Sequence, residues 1–370
     1  MAHDRHTRIL IVDDSAVMRS LLRAVLAGDP SLEVAGTASD GESALDALEC
    51  IHPDLVLLDV EMPNMDGLET LRMIRARAYG MPIVMVSAVT LRGARVTIEA
   101  LASGASDYVA KPANQTDRQS ALQTLAQDLL PKIQALTVAA TGSSSRPGSR
   151  AEVPVPVQLP RSAPSVLAIG ASTGGPAALE VVLSALPTNF PLPVLIVQHM
   201  PELFTGMLAE RLTQRCRLCV REATEGTPVL PGNVYLARGN WHMTLLAATR
   251  DGAPPTLHLH QGPMENHCRP AVDVLFRSVA AVYGPATLAV ILTGMGSDGL
   301  AASRLLCAQG GTVIAQDQAS SVIWGMPGAV VQAGIARRVL PLPAIAPEIL
   351  RLTSKAASDL QEVRESPVPL

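Results

Sequence analysis

Ser172, His199 and Asp298 are the three residue types that together hydrolyse an acyl bond: a hydroxyl nucleophile, an imidazole base and a carboxylate that orients the base. Each stands just past an apolar run. Ser172 lies in Gly170-Ala171-Ser172-Thr173-Gly174, a G-x-S-x-G pattern following V-L-A-I. His199 directly follows V-L-I-V-Q, and Asp298 lies in G-M-G-S-D-G after L-A-V-I-L-T. If the three runs are parallel strands of one sheet, all three groups emerge at one edge. The chain order Ser, His, Asp differs from the Ser, Asp, His of α/β-hydrolases, which implies another fold rather than another chemistry.

Other readings of the glycine cluster fail on their own terms. A P-loop requires a lysine after the second glycine, and none follows; a dinucleotide fingerprint requires glycine where Ser172 stands. A nucleophile on a sharp strand-to-helix turn needs small neighbours, and Pro176 suits the first turn of the next helix. That helix start also offers free N–H groups and a positive dipole end to an oxyanion. His242 and His267 are rival bases. His258 and His260 would share a strand face, with no third metal ligand beside them in the sequence. Cys268 is a rival nucleophile, but in a stretch with no strand-to-helix turn. Cys216 and Cys219 read as a partly buried helix end.

A second cluster sits near the N-terminus. Asp13 and Asp14 end the first apolar run, Asp59 ends the third, Ser87 the fourth, and Lys111-Pro112 the fifth. Carboxylates brought together repel unless a hard cation lies among them, and Mg²⁺ with oxygen ligands fits. Metal, hydroxyl and ammonium could then hold the outer oxygens of a phosphoryl group while a carboxylate attacks it. The plain alternative is that acids after strands cap the next helices.

These groups need elements to position them. Strands are expected at 9–12, 34–38, 55–58, 83–86 and 107–110, with helices at 18–27, 43–49, 68–77, 92–103 and 117–136. Strict alternation implies an open five-stranded parallel sheet with helices on both faces. The pattern collapses over 137–164 into a Gly/Ser-rich and then Pro-rich linker. It resumes with strands at 166–169, 194–198, 288–292 and 312–315 and helices at 177–185, 203–215, 300–309 and 328–333. Runs at 234–236, 242–247 and 256–260 look like a hairpin excursion turned by R-D-G-A-P-P. The expected organisation is therefore two α/β domains, 1–136 and 165–352, with a polar tail over 353–370.

Composition narrows the function. Of 370 residues, 48% are hydrophobic but only nine are aromatic, so the cores must be aliphatic, as buried parallel strands require. Residues 1–136 carry twelve Lys and Arg against eighteen Asp and Glu; residues 165–370 carry fourteen of each. Neither half has the basic surplus of a nucleic-acid binder. Five cysteines at these spacings suggest reduced thiols rather than a disulfide framework. No signal-peptide core or membrane-length apolar stretch stands out, so a soluble cytoplasmic protein without membrane insertion is expected.

Two resemblances sharpen this. I-L-I-V-D-D-S-A-V-M-R, L-V-L-L-D-V-E-M-P-N-M-D-G and D-Y-V-A-K-P resemble a response-regulator receiver domain of flavodoxin-like fold. That resemblance implies Asp59 as phosphoacceptor, and Mg²⁺ held by Asp13, Asp14 and Asp59 with the backbone of Glu61. It also implies Ser87 and Tyr108 as a switch pair, and Lys111 as the phosphate's ion partner. A-I-G-A-S-T-G-G-P-A-A-L, V-Q-H-M-P-E-L-F-T, P-A-V-D-V-L-F-R-S-V-A, V-I-L-T-G-M-G-S-D-G and I-A-Q-D-Q-A-S-S-V-I-W-G-M-P resemble the catalytic domain of chemotaxis protein-glutamate methylesterases, a doubly wound α/β domain. That family implies Ser172 as nucleophile, His199 as general acid/base and Asp298 as orienter, with an oxyanion site from the N–H of Met295 helped by Thr173. It also implies methylated chemoreceptor helices as substrates, glutamine deamidation as a second activity, no cofactor in the esterase domain, a histidine kinase as phosphodonor, and a receiver that inhibits until phosphorylated. L-A-R-G-N-W-H and Cys268 depart from the family's usual text. The roles of Arg238, Trp241, Arg269 and His242 are not legible. The competing reading is a phosphorylation-controlled binding module with a silent esterase fold.

Overall fold

The computed structural model describes residues 6–112, 117–142, 162–248, 250 and 252–365. The chain divides into two compact units, Met1–Arg150 and Ala151–Leu370.

In the first unit β1 (Thr7–Val12), α1 (Ala16–Leu26), β2 (Leu32–Ala38), α2 (Gly41–Ile51), β3 (Leu55–Asp59), α3 (Gly67–Ala76), β4 (Ile83–Ser87), α4 (Leu91–Ala102), β5 (Asp107–Ala110) and α5 (Arg118–Gly142) alternate. The sheet order is β2-β1-β3-β4-β5, every pairing parallel. This is the expected flavodoxin-like arrangement, whose strand order reverses between β1 and β3. β3 and β4 are buried along their whole length, as a sheet covered on both faces demands. Four helices start on side-chain caps: Ser15, Asp40, Asp66 and Thr90 each accept an N–H from the first turn.

The second unit contains β6 (Val166–Ala171), α6 (Gly175–Ser184), β7 (Val194–Gln198), α7 (Glu202–Arg215), β8 (Cys219–Glu222), β9 (Asn233–Leu236), β10 (His242–Leu246), β11 (Thr256–His260), α8 (Val272–Tyr283), β12 (Thr287–Ile291), α9 (Leu300–Ala308), β13 (Thr312–Gln316), α10 (Met326–Gln332), β14 (Arg338–Leu340) and α11 (Leu342–Glu365). Seven strands form one parallel sheet in the order β14-β13-β12-β6-β7-β9-β8. The core is aliphatic as the composition requires, with Phe190, Phe204 and Phe276 its largest fully buried side chains.

Several expectations need correction. The run at 234–236 is not part of the hairpin excursion. As β9 it pairs in parallel with β7 and β8, and only β10 and β11 form an antiparallel hairpin. Two residues of the loop joining them, 249 and 251, lie outside the described residues. Cys219 starts an edge strand rather than ending a helix; Cys216 caps α7. α5 continues to Gly142 and α11 to Glu365, past the expected boundaries at 136 and 352. The rest of the expected linker, through residue 161, lies outside the described residues. α8 is an element the sequence pattern did not single out, although its buried residues Val272, Leu275, Phe276, Val279 and Ala280 have the spacing of one helix face.

Candidate active sites

β6 lies between β7 and β12, parallel to both, at the point where the order of the large sheet reverses. Ala171 is in register with Gln198, so the next residues, Ser172 and His199, leave neighbouring strands about 4.8 Å apart. Backbone bonds tie the rim together. The His199 N–H donates to the Ala171 carbonyl at 3.1 Å, and the Ser172 N–H to the Thr293 carbonyl at 3.0 Å. The Gln198 amide donates to the Ser172 carbonyl at 2.8 Å. The glycine cluster is explained by space and backbone. Gly174 has a φ of 76°, and a Cβ there would meet Val322 at 2.6 Å; a Cβ on Gly294 would press to 2.8 Å from that of Ser172.

Asp298 is buried and accepts five hydrogen bonds. Its Oδ2 accepts from His199 Nε2 at 2.7 Å and from the Val272 N–H at 2.6 Å. Its Oδ1 accepts from the N–H groups of Asp273 at 3.0 Å and Gly299 at 2.9 Å, and from Asn266 Nδ2 at 2.8 Å. α8 and α9 start without a side-chain cap from their own N-cap residue, so their first N–H groups are available to this carboxylate. Burial alone would raise the Asp298 pKa, but His199 and the N–H groups of Asp273 and Val272 hold it below its ordinary value. Burial pushes the His199 pKa down, yet the Asp298 carboxylate and the neighbouring Cys268 outweigh that and raise it to about 9.

With Nε2 committed to Asp298, Nδ1 is the nitrogen left to serve a hydroxyl. The Ser172 hydroxyl makes no hydrogen bond to His199 here; such contacts commonly tighten only around substrate. The Met295 N–H has no hydrogen-bond partner among the described residues, and Met295 is partly exposed. Its segment is anchored through Gly294, whose carbonyl accepts from the N–H groups of Gly325 and Met326. Thr173 is buried, its carbonyl accepting from Thr293 Oγ1 at 2.9 Å.

The rival groups fall elsewhere. His242 is buried with both ring nitrogens engaged, one with the Ala271 N–H at 3.3 Å and one with the Pro263 carbonyl at 2.9 Å. Its role is structural, holding Ala271 and Pro263. His258 and His260 do share a face, their rings 5.7 Å apart, and His258 pairs with Glu225. His267 stands exposed on a tight turn at a φ of 62°. Arg238 pairs with Glu202 and lies 6.0 Å over the Trp241 ring. Arg269 donates to the Asn240 side chain and to the Gly262 carbonyl at 2.9 Å. Arg269 thus joins two loop segments, and Arg238 ties its loop to the start of α7.

In the first unit, Asp13, Asp14 and Asp59 each offer an oxygen within 4.8 Å of the others. Three hard oxygens, two of them on buried residues, are a donor set suited to Mg²⁺. Lys111 Nζ bridges Asp13 at 3.0 Å and Asp59 at 2.8 Å. Burial raises the Asp59 pKa to about 6, with the Asp13 charge adding to it against the pull of Lys111. The Glu61 N–H points at Asp59 Oδ1 from 3.4 Å, while its side chain faces Arg92. Ser87 is buried with its hydroxyl 2.7 Å from that of Thr97. Tyr108 is buried under Lys132, whose Nζ lies 5.2 Å from the ring centre.

Residues 9–123 match the model of the response regulator receiver domain, and residues 167–349 that of the CheB methylesterase domain. A protein-glutamate methylesterase/protein-glutamine glutaminase of Nocardioides sp. is 47% identical over 359 residues, spanning 95% of this chain and 97% of its own. The chain belongs to the protein-glutamate methylesterase/protein-glutamine glutaminase family. A family member of the same name from Trichodesmium erythraeum is 46% identical over 93% of this chain and 98% of its own. The crystal structure of the Thermotoga maritima CheB methylesterase catalytic domain aligns with 51% of this chain and 98% of its own, at 42% identity and a TM-score of 0.49.

Against this family background, the support of Asp298 is what sequence reasoning misses. The N–H groups of Val272 and Asp273 belong to α8, and Asn266 to the turn before it. The apolar spacing of α8 is the available signal. No pattern in the sequence points to Cys268 as a neighbour that raises the His199 pKa.

Proposed function

We propose that Ser172, His199 and Asp298 act as a catalytic triad that hydrolyses γ-glutamyl methyl esters on chemoreceptor helices. The chain is a carboxylic ester hydrolase of a receiver-regulated chemotaxis family, and the triad is our account of how it works. His199 Nδ1 takes the Ser172 proton as Oγ attacks the ester carbonyl. The tetrahedral oxyanion is received by the Met295 N–H with Thr173 beside it. His199 returns the proton to the departing methoxide, methanol leaves, and water attacks the acyl-serine by the same base. With glutamine as substrate the leaving group is ammonia. The observation that carries this reading is the 2.7 Å bond from His199 Nε2 to Asp298, beside Ser172 at the junction of β6, β7 and β12.

In the receiver, Asp59 accepts a phosphoryl group from a histidine kinase. Asp13, Asp14, Asp59 and the backbone of Glu61 would hold Mg²⁺, which when bound neutralises charge on phosphoryl oxygens. Lys111 pairs with the phosphate, and Ser87 and Tyr108 report it. Phosphorylation brings about −1.5 to −2 charge to that pocket and relieves inhibition of the esterase. A full switch from 1:99 to 99:1 needs about 5.5 kcal/mol of differential stabilisation, so graded activation is expected. The reaction takes place in the cytoplasm, without membrane insertion; no helix among the described residues is long and apolar enough to cross a membrane.

Methanol release from methylated receptor membranes, with and without a small-molecule phosphodonor, tests the proposal. Release that rises with the phosphodonor supports it. Phosphorylation-dependent receptor binding without methanol would leave the silent binding module standing instead.

A further inference from the structure

Two acidic side chains lie buried together beside the sheet edge, and one amide joins them. Asp273 is nearly inaccessible; its Oδ1 accepts the Ala302 N–H at 2.7 Å, capping the first turn of α9. Its Oδ2 accepts from Asn266 Nδ2 at 3.0 Å, and the same nitrogen donates to Asp298 Oδ1 at 2.8 Å. One NH₂ group thus sends a proton to each of two carboxylates. With two acceptors facing it, that end of the amide must be the nitrogen.

The turn that carries Asn266 is built for this reach. Glu265 and Cys268 exchange both backbone hydrogen bonds, at 3.1 and 2.9 Å. The two residues between them, Asn266 and His267, have φ of 52° and 62°. That is the geometry of a two-residue hairpin turn with both central residues left-handed, where asparagine is favoured at the first position. Asn266 and His267 are exposed residues, yet the Asn266 amide reaches two buried acids. Turn chemistry alone explains an asparagine there. It does not explain an amide with both protons placed on the two carboxylates that organise α8, α9 and the base.

We propose that Asn266 is a positioning residue for the esterase reaction, its amide bridging Asp273 and Asp298 so that Asp298 keeps Oδ2 on His199. This rests on the triad reading above. Without the bridge, Asp298 can rotate between its N–H donors and two carboxylates face each other with no proton between them. Misplacement on that scale is enough to cost up to about a hundredfold in rate.

Two variants separate this role from that of a turn residue. Asn266→Gly keeps the left-handed turn and removes the amide. Asn266→Asp keeps size and turn preference but has no proton to donate unless its own carboxyl is protonated. The groups around position 266 are Asp273, Asp298, His199, Cys268 and the Glu265–Arg277 pair; they are present in both variants, and the Asp273 and Asp298 charges push the pKa of a carboxyl at 266 upward. In the full-length protein we expect Asn266→Gly to lower kcat about 10- to 100-fold with KM nearly unchanged. The activity of Asn266→Asp relative to Asn266→Gly should climb as pH falls below neutrality, because protonation of the new carboxyl restores one donor. Thermal unfolding of both variants checks that they are folded at the assay temperature. If Asn266→Gly fails that check, the pH profile of Asn266→Asp relative to the natural protein carries the same reading.

Natural kcat in Asn266→Gly overturns the proposal, and so does a loss of kcat with a pH-independent ratio. Ser172→Ala measured alongside keeps the two ideas apart. If Ser172→Ala is inactive while Asn266→Gly is fully active, only the role of Asn266 is lost; if Ser172→Ala is active, the triad itself is lost.

Discussion

Replacing Asp298 by asparagine changes one atom in a site where every lone pair is in use, and its effect follows from the bonds. An amide has one acceptor oxygen where the carboxylate has two. Keeping that oxygen at Oδ1 preserves the bonds from Asn266, Asp273 and Gly299. The NH₂ group then occupies the Oδ2 position, facing the Val272 N–H at 2.6 Å and His199 Nε2 at 2.7 Å. Against Val272, donor meets donor, and one buried N–H left unpaired costs about 1–3 kcal/mol of stability. Against His199 the imidazole must offer a lone pair at Nε2 and carry its proton on Nδ1, the nitrogen that has to receive the serine proton. Wrong-tautomer substitutions of this kind cost about 10⁴ in kcat, or about 5.4 kcal/mol of barrier. We therefore expect methanol release by Asp298→Asn to fall about ten-thousandfold at saturating receptor, with a lowered unfolding midpoint. The sign makes the test sharp. Loss of the carboxylate charge also lowers the His199 pKa from about 9, leaving more neutral imidazole near pH 7. If Asp298 only tuned that pKa, Asp298→Asn would be faster at neutral pH. Activity within tenfold of the natural protein, or above it, refutes the reasoning about tautomer and orientation.

Other perturbations have equally definite expectations. Asp59→Asn should leave basal methanol release in place and abolish its increase with phosphodonor, because the nucleophilic oxygen is gone; an increase that survives would place phosphorylation elsewhere. Cys268→Ala removes one of the contacts that raise the His199 pKa. A base must be neutral to act, so activity rises with pH through that pKa, and the variant's limb should lie at lower pH with higher relative activity near neutrality. A pH–kcat/KM profile checks this, and an unmoved limb counts against the contact. Phe276→Ala empties a fully buried position in α8 and should cost about 3–5 kcal/mol in denaturant unfolding, with the receiver's phosphorylation unaffected.

How far the sequence carries this reading depends on whether a feature announces itself in local pattern. The buried strands β1, β3, β4, β6 and β7 are short apolar runs ended by a chemically distinctive residue, so both strand and site are legible at once. β9 reads as part of a hairpin because a four-residue strand has no periodicity of its own, and its partner β7 is supplied by tertiary structure. β8 is hidden by Cys216 and Cys219, which straddle a helix end and an edge strand. The support of Asp298 is the harder loss. Backbone N–H groups leave no signature in residue type, and nothing in the sequence singles out Asn266 before its side chain is seen facing two acids. The dual engagement that removes His242 as a base is likewise a matter of three dimensions.

The central claim is that Ser172 makes the covalent bond to the acyl group, assisted by His199 and Asp298. Methanol release from methylated receptor membranes by Ser172→Ala, measured beside the natural protein at equal concentration, tests it most directly. A fall of several orders of magnitude, up to about 10⁶-fold, is expected, in a variant whose unfolding temperature matches that of the natural protein. Turnover within tenfold of the natural protein would contradict it.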